Sequence, residues 1–328
     1  MRTAAEEVIA AWREGERLEV DRVMNDLAVT ALTRSLFRFT PSAETAEAIK
    51  RGMHALTQGL LLRTVMPTTW ERVPTPGNLR FRRAMARMHR AIDGVIRDYR
   101  EAGEDRGDVL SALLAARDED GQALTDAGVH AQVMTLALTG IEAPGAALGW
   151  MMHQIGRDPR IAEQVHAEID TVLGRRAPAH EDLERLTYLR RVIDEVLRLR
   201  TPLVFMRRTL TEVELGGVTI PADSEVVYSP YLLHHDARWF ADPERFDPDR
   251  WLPENSGAIP KGAFIPFAAG AYQCIGKLFA TTELAVVTAT ICAHWRLEPV
   301  PGAPVREMAT ALVRPSQLPM TAHRRRSA

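Results

Sequence analysis

Lysine is nearly missing from this chain. It occurs only at Lys50, Lys261 and Lys277, so the basic residues are almost all arginine. Cysteine occurs twice, at Cys274 and Cys292, in unrelated contexts, which excludes a disulfide framework. No Cys/His cluster has zinc-site spacing. No apolar run reaches the roughly 18 residues that a membrane span requires. The opening segment, Met1 to Arg13, carries Glu6 and Glu7 and no apolar run of the kind a signal peptide needs. These absences point to a cytoplasmic protein without a membrane partner. A net charge of -2 gives no bulk electrostatic reason to expect a nucleic-acid partner. The His323 to Arg326 tail reads as a solvated end.

What is present is a soluble globular composition, 46% hydrophobic and 26% charged over 328 residues. Helical periodicity dominates. Helices are expected over Thr3 to Arg13, Val20 to Phe39, Ala43 to Val65 and Asn78 to Tyr99, with Pro67, Pro74 and Pro76 stiffening the connection before the last of these. A short helix ending at Ala116 follows. A long helix, capped by Thr125 or Asp126, runs to about Gly156. Two more are expected from Asp158-Pro159 to Gly174 and from Glu181 to Arg200, the latter broken near Leu186. Beyond Pro202 the period switches toward two. Val213 to Ile220 reads as a hairpin and Glu225 to Tyr228 as a strand. Asp236 to Pro253 is an irregular, aromatic-rich loop. Helix returns from Ile275 to His294, and short strands follow around Thr310 to Val313 and Leu318 to Ala322. The fold class is mainly α with small β regions, in one domain over 1–328.

Four stretches carry chemistry. In Phe267 to Gly276 a single cysteine sits among small residues just ahead of a helix. Small residues let the backbone approach a flat, bulky group, and a helix N-terminus favours a thiolate. Such a thiolate suits haem iron; the alternative is a buried structural thiol. Glu195 and Arg198, three apart on one helix, can pair, either as a surface bridge or as part of a buried clamp. Pro243 to Phe246 offers Arg245 as a further guanidinium for that clamp. In Thr139 to Pro144, glycine and proline interrupt the long helix. Pro144 has no N–H for the carbonyl of Gly140, so the helix is expected to open locally beside Glu142; a kink tolerated by close packing is the alternative.

Together these residues resemble the cytochrome P450 haem-thiolate monooxygenases. Phe267, Gly270, Cys274 and Gly276 match the family's cysteine loop. Glu195 and Arg198 match its helix pair, the Pro243 to Phe246 loop matches that pair's partner, and Gly140 with Glu142 matches the oxygen-groove helix. Order and spacing agree over at least Thr125 to Ala322. The run Tyr188 to Arg250 and the Pro-rich connection look most like bacterial terpene-oxidising members. The resemblance implies haem b with Cys274 as axial ligand and metal-binding residue, and O2 activation at Gly140, Glu142 and Ala143. It implies Arg208, and His234 with it, as propionate partners. It implies ferredoxin and ferredoxin reductase as electron donors, with Lys277 on the docking face. A hydrophobic small-molecule substrate, a terpene or polyketide of secondary metabolism, would contact Leu136, Ala137, Gly140, Ala143, Leu203, Val204, Phe205, Ser316 and Gln317.

Three departures from the pattern stand out. Tyr272 occupies a position where the family usually has Arg or His, so it gives a hydrogen bond but no charge. Ala143 stands where the family usually has Thr, and alanine has no hydroxyl to steady oxygen and its protons. The family's opening strands and first helices have no counterpart, so an N-terminally truncated domain or a misplaced start is expected. Two other readings therefore stay open: an inactive or haem-poor remnant, and an enzyme of oxidative coupling or cyclisation, which needs less proton delivery.

Overall fold

The computed structural model describes residues 1–37, 42–66, 68–174, 176–309 and 312–325. Its helices are α1 (Arg2–Ala10), α2 (Val20–Leu36), α3 (Ala43–Val65), α4 (Pro76–Ala102), α5 (Val109–Ala115), α6 (Asp126–Arg157), α7 (Pro159–Leu173), α8 (Thr187–Leu199), α9 (Pro230–His234), α10 (Pro253–Ser256) and α11 (Lys277–His294). The strands are β1 (Glu16–Glu19), β2 (Phe205–Arg208), β3 (Val213–Leu215), β4 (Val218–Ile220), β5 (Glu225–Tyr228), β6 (Trp295–Pro299), β7 (Glu307–Ala309), β8 (Val313–Pro315) and β9 (Pro319–Arg324). The expected break near Leu186 is present, because a 3-10 turn at His180–Asp182 precedes α8. The loop from Asp236 to Pro253 is less irregular than expected: Asp247 caps a 3-10 turn at Pro248–Trp251 through a bond from the Asp249 N–H. Of the expected strand at Thr310 to Val313, Thr310 and Ala311 lie outside the described residues.

Contacts divide the chain into two units, one holding Thr3–Val8 and Arg22–Gly145, the other Ile9–Asp21 and Ala146–Ala328. In the first, α3 and α4 pack closely enough that a Cβ on Gly52 would collide with the Met88 side chain. The apolar stripe of α4 is core, as its spacing requires: Met88, Ile92, Val95, Ile96 and Tyr99 are buried. Thr75 caps this helix, accepting from the Asn78 N–H, and Gly103 ends it in the left-handed region.

In the second unit a three-stranded antiparallel sheet has the order β1-β9-β6, and the two-stranded ladders β2-β5, β3-β4 and β7-β8 stand apart from it. Alternate residues of β9 face the core, with Met320 and Ala322 fully buried. Helix α11 is apolar all round and correspondingly buried along most of its length.

One buried group in α11 works against stability. Glu283 is fully buried, neither carboxylate oxygen has a hydrogen-bond partner among the described residues, and burial pushes its pKa up to about 8. A raised carboxyl pKa means that the unfolded chain loses its proton first. Stability is then full below the unfolded value of about 4.5 and declines as pH rises toward 8. At about 1.4 kcal/mol per unit the loss is on the order of 5 kcal/mol. Glu283→Gln is expected to flatten this decline, checked by comparing urea unfolding of parent and variant across that pH range.

Candidate active site

The geometry of the site begins with α8. Its apolar residues Leu189, Val192, Ile193, Val196 and Leu199 are buried, and the same inward face carries Glu195 and Arg198, both fully buried. The pair is bidentate: Arg198 Nε donates to Glu195 Oε2 at 3.0 Å and Nη2 to Oε1 at 2.9 Å. Glu195 also accepts from the Asp247 N–H at 3.0 Å, Trp251 Nε1 at 3.0 Å and Arg250 Nε at 3.4 Å. A carboxylate taken wholly out of water is tolerated only with its lone pairs filled in this way.

The expected third guanidinium is corrected. Arg245 turns its side chain to solvent, 61% exposed and 3.8 Å from Asp247, and gives the clamp only its carbonyl, which accepts from Arg198 Nη2 at 3.2 Å. Arg250 takes the place instead. Its Nη1 donates to the Ala241 carbonyl at 2.6 Å and its Nη2 to that of Asp242 at 3.3 Å, which holds the whole turn against α8. The 3-10 turn after Asp247 is what aims Arg250 and Trp251 inward, and residue spacing alone does not separate Arg245 from Arg250.

His234 is likewise placed differently from expectation. It is fully buried, with Nδ1 3.1 Å from the Arg198 carbonyl and Nε2 accepting from the Ile265 N–H at 2.9 Å. Burial pulls its pKa down to about 4, so it is neutral at ordinary pH, and neither nitrogen is available to a propionate. It acts as a strut. Arg198 Nη1 donates to the His234 carbonyl at 2.8 Å, and the ring passes that register to Ile265 at the head of the cysteine loop.

From Ile265 the loop is folded by its own backbone. The Ile265 carbonyl accepts from Ala268 N–H at 3.1 Å, Gly270 from Gln273 N–H at 3.0 Å, and Phe267 from Cys274 N–H at 2.8 Å. Gly270, at φ 69°, and Ala268, at φ 57°, turn the chain through the left-handed region. Cys274 emerges exposed, two residues before Gly276, the N-cap of α11. Around it stand bare apolar side chains: Tyr272 is 71% exposed, Ile275 91% and Leu278 75%.

The propionate expectation at Arg208 does not hold in this geometry. Arg208 lies on the exposed face of β2 and pairs with Glu225 at 3.4 Å. Its neighbour Arg207 points the other way and lies over the Tyr272 ring at 4.5 Å. Strand alternation makes the difference, since a step of one residue reverses the face. The cationic charge that Tyr272 lacks therefore stands next to it. An exposed thiol in a tight loop, apolar side chains left bare and one adjacent guanidinium fit a flat apolar macrocycle with anionic edges.

In the first unit, α6 is continuous through Pro144, so the expected local opening is not a break in the helix. Gly140 and Gly145 are instead close-approach positions: a Cβ on Gly140 would meet Leu32 at 3.1 Å, and one on Gly145 the Asn25 Cα at 3.0 Å. Ala143 lies on the exposed side of the helix with Thr135 and Thr139, and Glu142 and Leu136 are half-buried. Ala137 is fully buried among core residues, which removes it from the expected substrate contacts. In the second unit a bridge between Pro202 and Leu312 ties the Leu203–Phe205 segment to the hairpin that leads to Ser316 and Gln317.

The haem-thiolate architecture that this loop and clamp define has its counterpart in a family comparison, where the Cytochrome P450 model matches residues 4–321. The chain belongs to the cytochrome P450 family. Its cofactor is haem b, with Cys274 supplying the axial thiolate. Cyclooctat-9-en-7-ol 5-monooxygenase of Streptomyces melanosporofaciens is 41% identical over 315 residues, 95% of this chain and 69% of that protein. Pentalenene oxygenase of Streptomyces avermitilis is 36% identical over 314 residues, 95% of this chain and 70% of that protein. The crystal structure of the cytochrome P450DA heme domain superposes with a TM-score of 0.86 at 26% identity, covering 99% of this chain and 72% of that one. No helix among the described residues is long and apolar enough to cross a membrane.

The clamp gives a sharp mutational contrast. Glu195→Gln strands the buried Arg198 charge and is expected to cost about 3–5 kcal/mol. Arg250→Leu should cost about 1.5–3 kcal/mol through its lost charge-assisted bonds. Arg245→Leu should stay within about 0.5 kcal/mol, as exposed pairs do. Urea unfolding of the three variants checks the order.

Proposed function

We propose that this chain is the haem-bearing part of a bacterial monooxygenase that inserts one oxygen atom from O2 into an apolar, terpene-like molecule. The observation that carries the reading is Cys274, presented bare at the head of α11 by a loop that the buried clamp registers through His234. Two similar proteins, Cyclooctat-9-en-7-ol 5-monooxygenase and Pentalenene oxygenase, support the substrate class. The family match spans both units, which supports reading residues 1–328 as one domain.

When bound, the haem supplies the redox and oxygen chemistry, tuned by its thiolate ligand. The chain's own residues do the rest. Phe267, Gly270 and Gly276 shape the backbone around Cys274, and Arg207 with Tyr272 holds the propionate edge. Leu203, Val204 and Phe205, with Ser316 and Gln317, contact an apolar substrate. Glu142 handles protons. Ala143 has no hydroxyl, and those of Thr135 and Thr139 donate to helix carbonyls at 2.8 Å. A ferredoxin with its reductase delivers the electrons.

The oxidative-coupling alternative shares the cofactor and rests on Ala143. Product mass separates the two, since monooxygenation adds one oxygen atom and coupling removes two hydrogens. The main test is spectroscopic. Haem-supplied, folded protein, reduced and treated with carbon monoxide, should give the thiolate-ligated absorption band, and Cys274→Ser should lose it. Arg207→Leu should weaken haem retention about tenfold, a loss of one desolvated charge contact, while Arg208→Leu should leave it unchanged. Absence of the band in folded parent protein would defeat the proposal.

A further inference from the structure

A second polar constellation lies within the first unit, away from everything used above. His130 on α6 sits between His89 and Asp93, which are one turn apart on α4. Its Nδ1 is 2.6 Å from Asp93 Oδ1, and its Nε2 is 2.7 Å from His89 Nδ1. The two rings lie nearly parallel, centroids 4.9 Å apart with an interplanar angle of 19°. The His130 side chain is only 17% exposed, whereas Asp93 is 60% exposed.

The protons of this chain of contacts can be placed. An ionised carboxylate only accepts, so His130 carries its hydrogen on Nδ1 and donates it to Asp93. That leaves the His130 Nε2 lone pair facing His89, which donates its Nδ1–H. Adding one proton to His89 Nε2 leaves both bonds intact, and the Asp93 carboxylate offsets the new charge. A second proton has one place to go, the shared lone pair on His130 Nε2. Two N–H groups and two positive charges would then meet where one hydrogen bond had been, and the contact is lost.

We propose that Asp93, His130 and His89 form a proton-sensitive clasp, which joins α4 to α6 while the imidazoles carry at most one extra proton and releases once both are charged. The position of the clasp gives it consequence. Farther along the same helices, Arg100 Nε is 2.5 Å from Asp126 and its Nη2 is 3.1 Å from the Leu124 carbonyl. That second pin contains no histidine. Release of the clasp therefore frees the middle of α4, together with the α3 packed on it, around a retained attachment at Arg100.

The charges that bear on His89 are those of His130 from α6 and Asp93 from its own helix. Burial is the larger influence and, with His130, pulls its pKa below the ordinary imidazole value; Asp93 opposes this. A lowered histidine pKa means that the unclasped form binds the proton better, so the clasp weakens as pH falls below about 6.5.

The experiment is hydrogen exchange on the full chain, read in peptides covering 80–100 and corrected for intrinsic rates, between about pH 7.5 and about pH 5. The parent should lose protection there about fivefold or more, with the segment around Arg100 changing least. His130→Gln should remove this pH dependence. Asp93→Asn keeps the side-chain shape but takes away the offsetting charge, so its transition should move to higher pH. Long-range nitrogen NMR of the imidazoles should find His130 protonated at Nδ1 at neutral pH. A parent whose protection is unchanged by pH, a response identical in His130→Gln, or a transition unmoved in Asp93→Asn would each overturn the clasp.

Discussion

A carboxylate buried without solvent is the constraint around which the second unit is built. Glu195 accepts from a guanidinium on its own helix, and from a backbone N–H, an indole and a second guanidinium on the Asp247–Trp251 turn. Removing any partner leaves an acceptor of the buried carboxylate unfilled in a low-dielectric interior, so the turn has one position that satisfies the site. Arg198 extends the same network to His234, and His234 extends it to Ile265, at the entry of the cysteine loop. Electrostatic need at Glu195 is thus converted into a fixed backbone position for Cys274. The ligand itself makes few side-chain contacts. Its placement is inherited.

This explains why a P450 chain spends buried charge far from any substrate. Haem chemistry requires a thiolate at a set position, and a loop of small residues has little packing of its own to hold it. The stiffness comes from behind, through three consecutive hydrogen-bonded links from Glu195 to Arg198, His234 and Ile265. Glu283, buried on α11 without a partner among the described residues, shows the reverse situation, where an unmet carboxyl is held neutral and costs stability as pH rises.

Much of this was legible in the sequence. Apolar spacing gives the helix at Ala43–Val65 and, to within a residue or two, the one at Asp126–Arg157; the helix expected from Glu181 to Arg200 begins only at Thr187, after the break near Leu186, and the Cys274 loop with the Glu195–Arg198 pair carries the family. The errors share a cause. Sequence points to Arg208 and Arg245, whereas the side chains that face the site are Arg207 and Arg250, because sequence gives the order of candidate cations and not the direction in which each points. Direction is set by strand alternation at β2 and by an Asp-capped 3-10 turn at Pro248–Trp251. The resemblance implies His234 as a propionate partner, whereas its burial makes it a neutral strut. Gly140 and Gly145 are close-approach positions. What approaches is α2, through Leu32 and Asn25. The Asp93–His130–His89 contact had no sequence signal, since its members lie on separate helices.

The central claim is that the clamp positions Cys274 through His234. The most direct measurement is amide exchange at Cys274 and Ile265, by NMR, in a His234→Leu variant against the parent. The account predicts that protection of both amides falls while α8 and α11 keep theirs. Unchanged protection at Cys274 in a folded variant would contradict it.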